Sequence, residues 1–203
     1  MQERVQITVL SQLGSTTSGN LEELYFSSDP RQRELCFTFL GELALIKPDT
    51  RMIILKLLMK GVIDADIQNR ATAIYYLGEI SRHSPRLAQH VIYPLVMILL
   101  KSDEKQIIQF QALIALEKLN KQSMSIQKFL YKGISDVAYL TVAKLDSGDP
   151  TERKEATWKI GKLGMIFFPA ILDLVNMILN LLVDEHDGVK SMAKKTICDL
   201  IPS

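Results

Sequence analysis

Residues that could do chemistry are few in this sequence and lie far apart. Its three histidines, His83, His90 and His186, have no partner at the spacing of a metal site, so we expect surface or turn residues. The two cysteines, Cys36 and Cys198, are expected to be buried and unreactive. The sequence has no GxSxG, HExxH or CxxC motif and no glycine-rich phosphate loop. We therefore predict that the protein is not an enzyme and uses no cofactor or metal.

Acidic and basic residues recur with a long period instead. A sequence motif whose first residue is Arg, Gln or Lys starts at positions 33, 70, 109, 153 and 190, and successive copies are 37 to 44 residues apart. Six residues before each start stands an Asp or Ser that can cap or order a turn, namely Ser27, Asp64, Asp103, Ser147 and Asp184. One Asp–Arg pair could be catalytic, but a repeated pair predicts a ladder of hydrogen bonds that joins successive turns.

Apolar residues recur in the same register. Counted from each start as zero, offsets three, seven and ten hold the residues Cys36, Leu40, Leu43, Ala73, Leu77, Ile80, Ala112, Leu116, Leu119, Ala156, Ile160, Leu163, Ala193, Ile197 and Leu200. All fifteen are apolar, and spacings of three and four place them on one stripe of a helix. Apolar runs before each turn predict a partner helix, so the repeating unit is a pair of helices.

Offset eight is glycine in three copies, at Gly41, Gly78 and Gly161, which permits a close approach between helices. The third copy departs from this pattern, with Gln109 at the start and Glu117 at offset eight. Its interval to the next copy is also the longest, so we expect residues 121–133 to form an irregular connection or a broken helix. The curvature of the array is expected to change there.

These features resemble the HEAT-repeat family of α-solenoids. The segment 181–193 is the best single match, with an Asp-containing turn, then Val189, Lys190 and Ala193. Pro94 inside a first helix is also similar to the family. The resemblance implies an all-α, right-handed α-solenoid of about five helix pairs over residues 20–203, preceded by an N-terminal segment, residues 1–19, of uncertain structure. The second helices are expected near 31–46, 68–82, 105–120, 150–165 and 187–201.

Composition narrows the functional classes. A formal net charge of +1 removes the simplest argument for a nucleic-acid partner. Two cysteines in 203 residues suggest a reducing compartment, and we expect the cytoplasm. The apolar stretch 165–183 contains Pro169, Asp173, Asn176 and Asn180, which favours a buried helix over a membrane span.

The side of the second helices opposite the apolar stripe predicts a binding surface. Phe110, at offset one, lies close to the direction of offset five, which is at 140° by helical geometry. Offset five holds Thr38, Tyr75, Ile114, Trp158 and Lys195. Lysines flank them on the third and fourth copies, so the predicted partner-binding residues are Tyr75, Phe110, Ile114, Lys118, Trp158 and Lys162. Stacked second helices line the concave surface of such solenoids, and exposed aromatic patches mark interfaces. The alternative is that these side chains only pack against neighbouring helices, or that a terminus covers them.

We therefore predict a protein-binding scaffold or adaptor whose partner is an extended or helical segment of another protein. Acidic groups of the partner would face the lysines. The first alternative is a nucleic-acid-binding solenoid that resembles the alkylation-repeat DNA glycosylases, although the near-neutral charge makes nucleic acid unlikely as a partner. The second is a subunit of an enzyme complex similar to the HEAT-like phycobilin lyases. The end of the solenoid could also pair with a second copy of the chain.

Overall fold

The computed structural model describes residues 21–201, and these residues form helices and turns without any β-strand. The segment 1–19 lies outside the described residues. After a helical stretch at 21–25, the α-helices are α1 (Pro30–Ile46), α2 (Arg51–Gly61), α3 (Ile67–Ser81), α4 (Pro85–Leu99), α5 (Gln106–Asn120), α6 (Met124–Val142), α7 (Pro150–Phe167), α8 (Val175–Asn180) and α9 (Asp187–Leu200). None of the described helices is long and apolar enough to cross a membrane.

The helices form five pairs in two layers, which confirms the predicted all-α solenoid. Helices α1, α3, α5, α7 and α9 pack side by side as the second helices, in repeats 1 to 5 respectively. The first helices are the stretch 21–25, α2, α4 and α6, followed in repeat 5 by α8 between short 3₁₀ turns. The predicted apolar stripe lies between the layers, where Leu40, Leu77 and Leu116 are completely buried.

In four of the five repeats the turn between the two helices is ordered by the Asp or Ser that recurs there, whereas in repeat 3 Glu104, and not Asp103, accepts from the backbone N–H of Lys105. Asp64 and Asp184 accept hydrogen bonds from the backbone N–H two residues later, and Ser27 and Ser147 do the same through their hydroxyl oxygens. The helix cap stands at that later residue, for example at Asp66, whose side chain accepts from two N–H groups of α3. The recurring residues therefore order the turns and do not cap the helices themselves.

The recurring glycines bring neighbouring second helices into close contact, as predicted. A methyl group on Gly41 would lie 2.2 Å from the Tyr76 ring, and one on Gly78 would lie 2.8 Å from the Cβ of Ala115. A methyl group on Gly161 would similarly collide with Thr196 of α9. Glu117 at the matching position of α5 is exposed, and α5 contacts α7 less extensively than the other second helices contact each other.

The predicted ladder joins the turns of repeats 1 and 2 and of repeats 4 and 5. Two guanidinium nitrogens of Arg33 each donate to Asp64 at 2.8 Å, and Arg153 donates to Asp184 at 2.8 and 2.9 Å. Between repeats 2 and 3 the acceptor is Glu104, 2.9 Å from Arg70, and not the expected Asp103.

The ladder is interrupted between repeats 3 and 4. Gln109 replaces the arginine and donates to the carbonyl of Lys101 in its own repeat, at 2.6 Å. Ser147 replaces the aspartate and donates to Glu152, also within its own repeat. These two side chains therefore form no link between the turns of repeats 3 and 4.

Two expectations about helix continuity need correction. Residues 121–133 are not irregular, because only a short turn follows α5 and the extra residues lengthen α6 to 19 residues.

The apolar run after α7, in contrast, does not form one buried helix. It divides into 3₁₀ turns and the six-residue α8, after Pro169 interrupts the backbone hydrogen bonding.

Candidate partner-binding site

Five of the six predicted partner-binding residues fall into two groups on the face of the second helices, and Ile114 belongs to neither. Phe110, Ile114 and Lys118 follow one another at successive turns of α5, so this helix runs through both groups. Tyr75 of α3 lies at one end of the row, and Trp158 and Lys162 of α7 lie at the other. Ile114 itself is half-buried.

Tyr75 and Lys118 form the first group, between α3 and α5. The Lys118 ammonium lies 5.1 Å from the centre of the Tyr75 ring and 2.6 Å from Oε1 of Glu79. Tyr75 remains 46% exposed and also stacks edge-on against Tyr76. Glu79 also pairs with Arg82 at 3.2 Å, so Lys118 shares one carboxylate with a second cation and is not an unpaired ammonium.

Phe110, Trp158 and Lys162 form the second group, around a cleft of about 540 Å³ between α5 and α7. Phe110 is 58% exposed, and Trp158 is partly exposed as expected. Five residues of α5 share the cleft with Trp158, among them Phe110 and Leu113, but the expected Ile114 does not line it. The complete lining is Leu99, Gln106, Ile107, Gln109, Phe110, Leu113, Trp158, Lys162 and Lys195.

The cleft is cationic on the α7 and α9 side. Lys162 lies one turn beyond Trp158, and Lys195 approaches from α9. Neither ammonium has a carboxylate within ion-pair distance among residues 21–201. The cleft therefore combines an aromatic floor with two ammonium groups that are available to an incoming anion.

The departures of repeat 3 from the sequence pattern explain why a cleft opens at this place. At their C-terminal ends α5 and α7 are joined by a hydrogen bond of 3.0 Å from the Asn120 amide to the carbonyl of Ile166. Toward their N-terminal ends the ladder bond is missing. In the last turn of α5, Glu117 replaces the glycine that allows close approach in other repeats. The cleft lies on the N-terminal side of the Asn120 contact and leaves Phe110 and Trp158 accessible.

The sequence analysis missed part of this site. Ile107 is 55% exposed and lines the cleft, although it was not among the predicted residues. Its offset of minus two corresponds to 160° on the helix, close to the direction of Trp158, so the same helical arithmetic could have found it. Lys195 stands at offset five of the last repeat and was noted there without being assigned to the site.

The other residues with potential chemistry lie away from this cleft. Cys36 is buried, and its burial raises the pKa of the thiol to about 12. Cys198, expected to be buried, is exposed. Its position matches that of Gly41 and Gly161, which face the next repeat, and no further repeat stacks on α9 within the described residues.

The three histidines are exposed as expected. No cluster of His, Cys, Asp or Glu able to hold a metal ion occurs in residues 21–201.

Comparison with known proteins supports the fold. No family model and no curated protein matches the chain. Among solved structures, one from work on TOG–tubulin binding specificity superposes with a TM-score of 0.53 at 13% identity, over 95% of this chain and 75% of that chain. A designed armadillo repeat protein in complex with the peptide (KR)4 has a TM-score of 0.46 at 14% identity, over 98% of this chain and 91% of that one.

The CpcE–CpcF complex of phycocyanin lyase from Nostoc sp. PCC7120 is a more distant match, with a TM-score of 0.39 at 16% identity, over 87% of this chain and 94% of that one. At such identities the likeness concerns the fold alone. The protein accordingly has an α-solenoid fold.

Proposed function

We propose that the protein is a binding scaffold that holds an extended or helical segment of another protein on the face of its second helices. The observation that carries this proposal is the cleft between α5 and α7. Exposed Phe110 and Ile107 stand there opposite Trp158, and aromatic residues in such clefts are frequent anchors of protein interfaces. Solenoids present this kind of long, continuous surface.

The chemistry of the cleft indicates the kind of segment. An apolar side chain of the partner would insert between Phe110 and Trp158, where it loses its contact with water. A carboxylate beside that side chain would meet Lys162 and Lys195. Tyr75 extends the apolar surface toward repeat 2, but the neighbouring Lys118 is paired with Glu79 and contributes little further charge. An acidic segment with one large apolar residue is therefore the proposed ligand.

Trp158 is the only tryptophan, so its fluorescence reports on the cleft directly. The experiment titrates the protein with three synthetic twelve-residue peptides: one with a central Phe between acidic residues, one with the same Phe between lysines, and one with Ala in place of Phe. We expect saturable quenching or a blue shift with the acidic Phe peptide and much weaker binding of the other two.

The matched variants are Trp158→Ala and Tyr139→Ala, with a fluorophore on the peptide as the readout. Tyr139 is an aromatic residue of α6 that is 58% exposed and lines no described cleft. Trp158→Ala should weaken binding by about 30-fold, which corresponds to an interface anchor of about 2 kcal/mol. Tyr139→Ala should leave binding unchanged. Equal losses in both variants, or tighter binding of a DNA oligonucleotide than of any peptide, would refute the proposal.

Two accompanying expectations belong to the same proposal. The two unbonded thiols, Cys36 and Cys198, agree with a reducing compartment such as the cytoplasm. Pairing of two copies through the α9 end is tested by sedimentation velocity, since a dimer would sediment faster as the protein concentration rises.

A further inference from the structure

A second cleft lies between the first helices α4 and α6 and has a volume of about 620 Å³. Its wall is apolar. Tyr93 and Met97 of α4 face Val137 and Leu140 of α6 across it. Leu140 is 73% exposed, and Tyr93 and Met97 are each nearly half exposed. Exposure of these apolar side chains to water costs free energy, and a ligand that covered them would remove this cost.

The packing of α4 against α6 explains the position of this cleft. Midway along the helices Gly133 touches Ile92, because a methyl group on this glycine would lie 2.9 Å from Cγ2 of Ile92. One to two turns further on, at Met97 and Leu140, the helices have separated. The cleft therefore opens toward the same edge of the molecule at which the ladder is interrupted.

Three lysines surround the apolar wall: Lys101, Lys144 and Lys159. The Lys101 ammonium lies 3.8 Å from Asp103, and the Lys144 ammonium lies 3.5 Å from Glu152. Both pairs are largely exposed to solvent. Lys159 forms a closer pair, 2.6 Å from Glu155 one turn earlier on α7. The first two pairs are exposed, and the third joins residues one turn apart on the surface of α7, with Lys159 23% and Glu155 38% exposed. Pairs of both kinds contribute little to stability, so the ammonium groups can turn to a ligand at small cost. One carboxylate, that of Asp103, also lines the cleft.

We infer that this cleft binds a small amphipathic anion, a medium-length aliphatic chain that ends in a carboxylate. The chain would cover Met97, Val137 and Leu140, and the carboxylate would be held by Lys144 and Lys159 at the mouth. The volume lies in the range of roughly 300–1,000 Å³ that is usual for small-molecule sites, and so does the combination of apolar walls with a few polar groups. This inference does not depend on the proposed scaffold function, because the residues of the two clefts do not overlap.

The probe is monomeric decanoate, titrated into protein that carries ¹³C-labelled methionine methyl groups. Met97 lines this cleft, while Met165 and Met192 lie beside Trp158 and serve as internal controls. We expect a saturable shift of the Met97 resonance and a much smaller shift of the other two. Decanamide, which has the same chain without the charge, should bind about fivefold more weakly.

Two sets of variants test the residues. Leu140→Asp should weaken decanoate binding at least about tenfold, because the new carboxylate faces both the chain and the ligand anion. The matched control is Leu35→Asp on α1, an equally exposed helical leucine outside the cleft, which should not change the affinity. The double variant Lys144→Gln, Lys159→Gln, which leaves the apolar wall intact, should bind decanoate and decanamide equally well.

Several results would overturn the inference: a shift of Met165 or Met192 as large as that of Met97, an equal affinity of the wild-type protein for decanamide, or unchanged binding by the double lysine variant. If Leu140→Asp loses its helical circular dichroism signal, the double lysine variant alone decides. An apolar side chain of a protein partner as the true occupant would appear as Met97 shifts with a peptide but none with decanoate, which also refutes the inference.

Discussion

Gly41, Gly78 and Gly161 show how single residues set the spacing of the solenoid. Each lies where the next second helix comes so near that a methyl group would collide with it. Glycine costs a helix about 1 kcal/mol relative to alanine. At these positions the close packing of neighbouring second helices outweighs that cost.

We predict that Gly41→Ala destabilises the protein although alanine is the better helix former. The added methyl group would meet the Tyr76 ring, whose hydroxyl is fixed by donating to Glu42 at 2.7 Å. The ring cannot move without losing this bond, so we expect a loss of about 1–3 kcal/mol in the free energy of unfolding. Chemical denaturation measures this change.

The control is Gly148→Ala in the turn before α7, where a methyl group would meet nothing within 4 Å. Its unfolding free energy should stay within about 0.5 kcal/mol of wild type. If both variants were equally stable, the close packing at Gly41 would not be a determinant of stability.

At the scale of elements, the ladder of ion pairs connects the turns of the repeats. Burial alone would raise the pKa of Asp64, but hydrogen bonds from Arg33, the Asp66 N–H and Asn69 outweigh it, and the pKa is lowered. The pKa of Asp184 is lowered chiefly by the hydrogen bond from Arg153, with a further contribution from the His186 N–H. These carboxylates therefore bind protons more weakly in the folded chain than in the unfolded chain.

This difference predicts the pH dependence of stability. The contribution of the two carboxylates is fully present above their ordinary pKa and is lost as the pH falls through the lowered values, from about pH 5 downward. Thermal unfolding at a series of pH values should show the wild type losing stability in this range. Asp64→Asn should be less stable near neutral pH, and the gap should narrow on acidification. A gap independent of pH would contradict the role given to the Asp64 charge.

The missing link between repeats 3 and 4 can be restored. In Gln109→Arg with Ser147→Asp, both residues occupy the positions that form the bond elsewhere in the ladder. We expect the pair to stabilise the protein by about 1.5–3 kcal/mol, the contribution of a hydrogen bond to a charged group. Because the link would draw α5 and α7 together, we also expect weaker binding of the acidic Phe peptide. The stability is measured by denaturation and the affinity by Trp158 fluorescence.

The single substitution Gln109→Arg is the control, because it has no acidic acceptor at position 147. It should give no comparable gain, and the coupling between the two substitutions follows from the double-mutant cycle. A gain that is simply the sum of the two single substitutions would show that no new link had formed.

The helices could be predicted from the sequence because their signals are local and repeated. A buried stripe with spacings of three and four determines which face of α1, α3 or α7 is turned inward, and the turn residues mark where each helix begins. The α5–α7 cleft could not be predicted in this way, because the separation of two helices is not encoded in the local pattern of either helix. Gln109 and Glu117 indicated an irregularity, but not that Phe110 and Leu113 would face Trp158 across an opening. The ion pair of Lys118 was not predicted either, because Glu79 reaches it from the neighbouring helix.

For the whole molecule, the interface between repeats 3 and 4 is its most distinctive place. Two clefts lie there, one in each layer, and consecutive residues belong to different clefts: Leu99 and Trp158 to one, Leu100 and Lys159 to the other. The two repeats touch at Gly133 in the first layer and at Asn120 in the second. Both contacts lie away from the edge at which the ladder is interrupted and both clefts open.

We predict from this arrangement that the two clefts are thermodynamically linked. A rotation of repeat 4 about the contacts at Gly133 and Asn120 would widen or narrow both openings together, so an occupant that holds one open would favour the open form of the other. Coupling of this kind is reciprocal. The factor by which saturating decanoate raises the affinity for a peptide at Trp158 must equal the factor by which the peptide raises the affinity for decanoate.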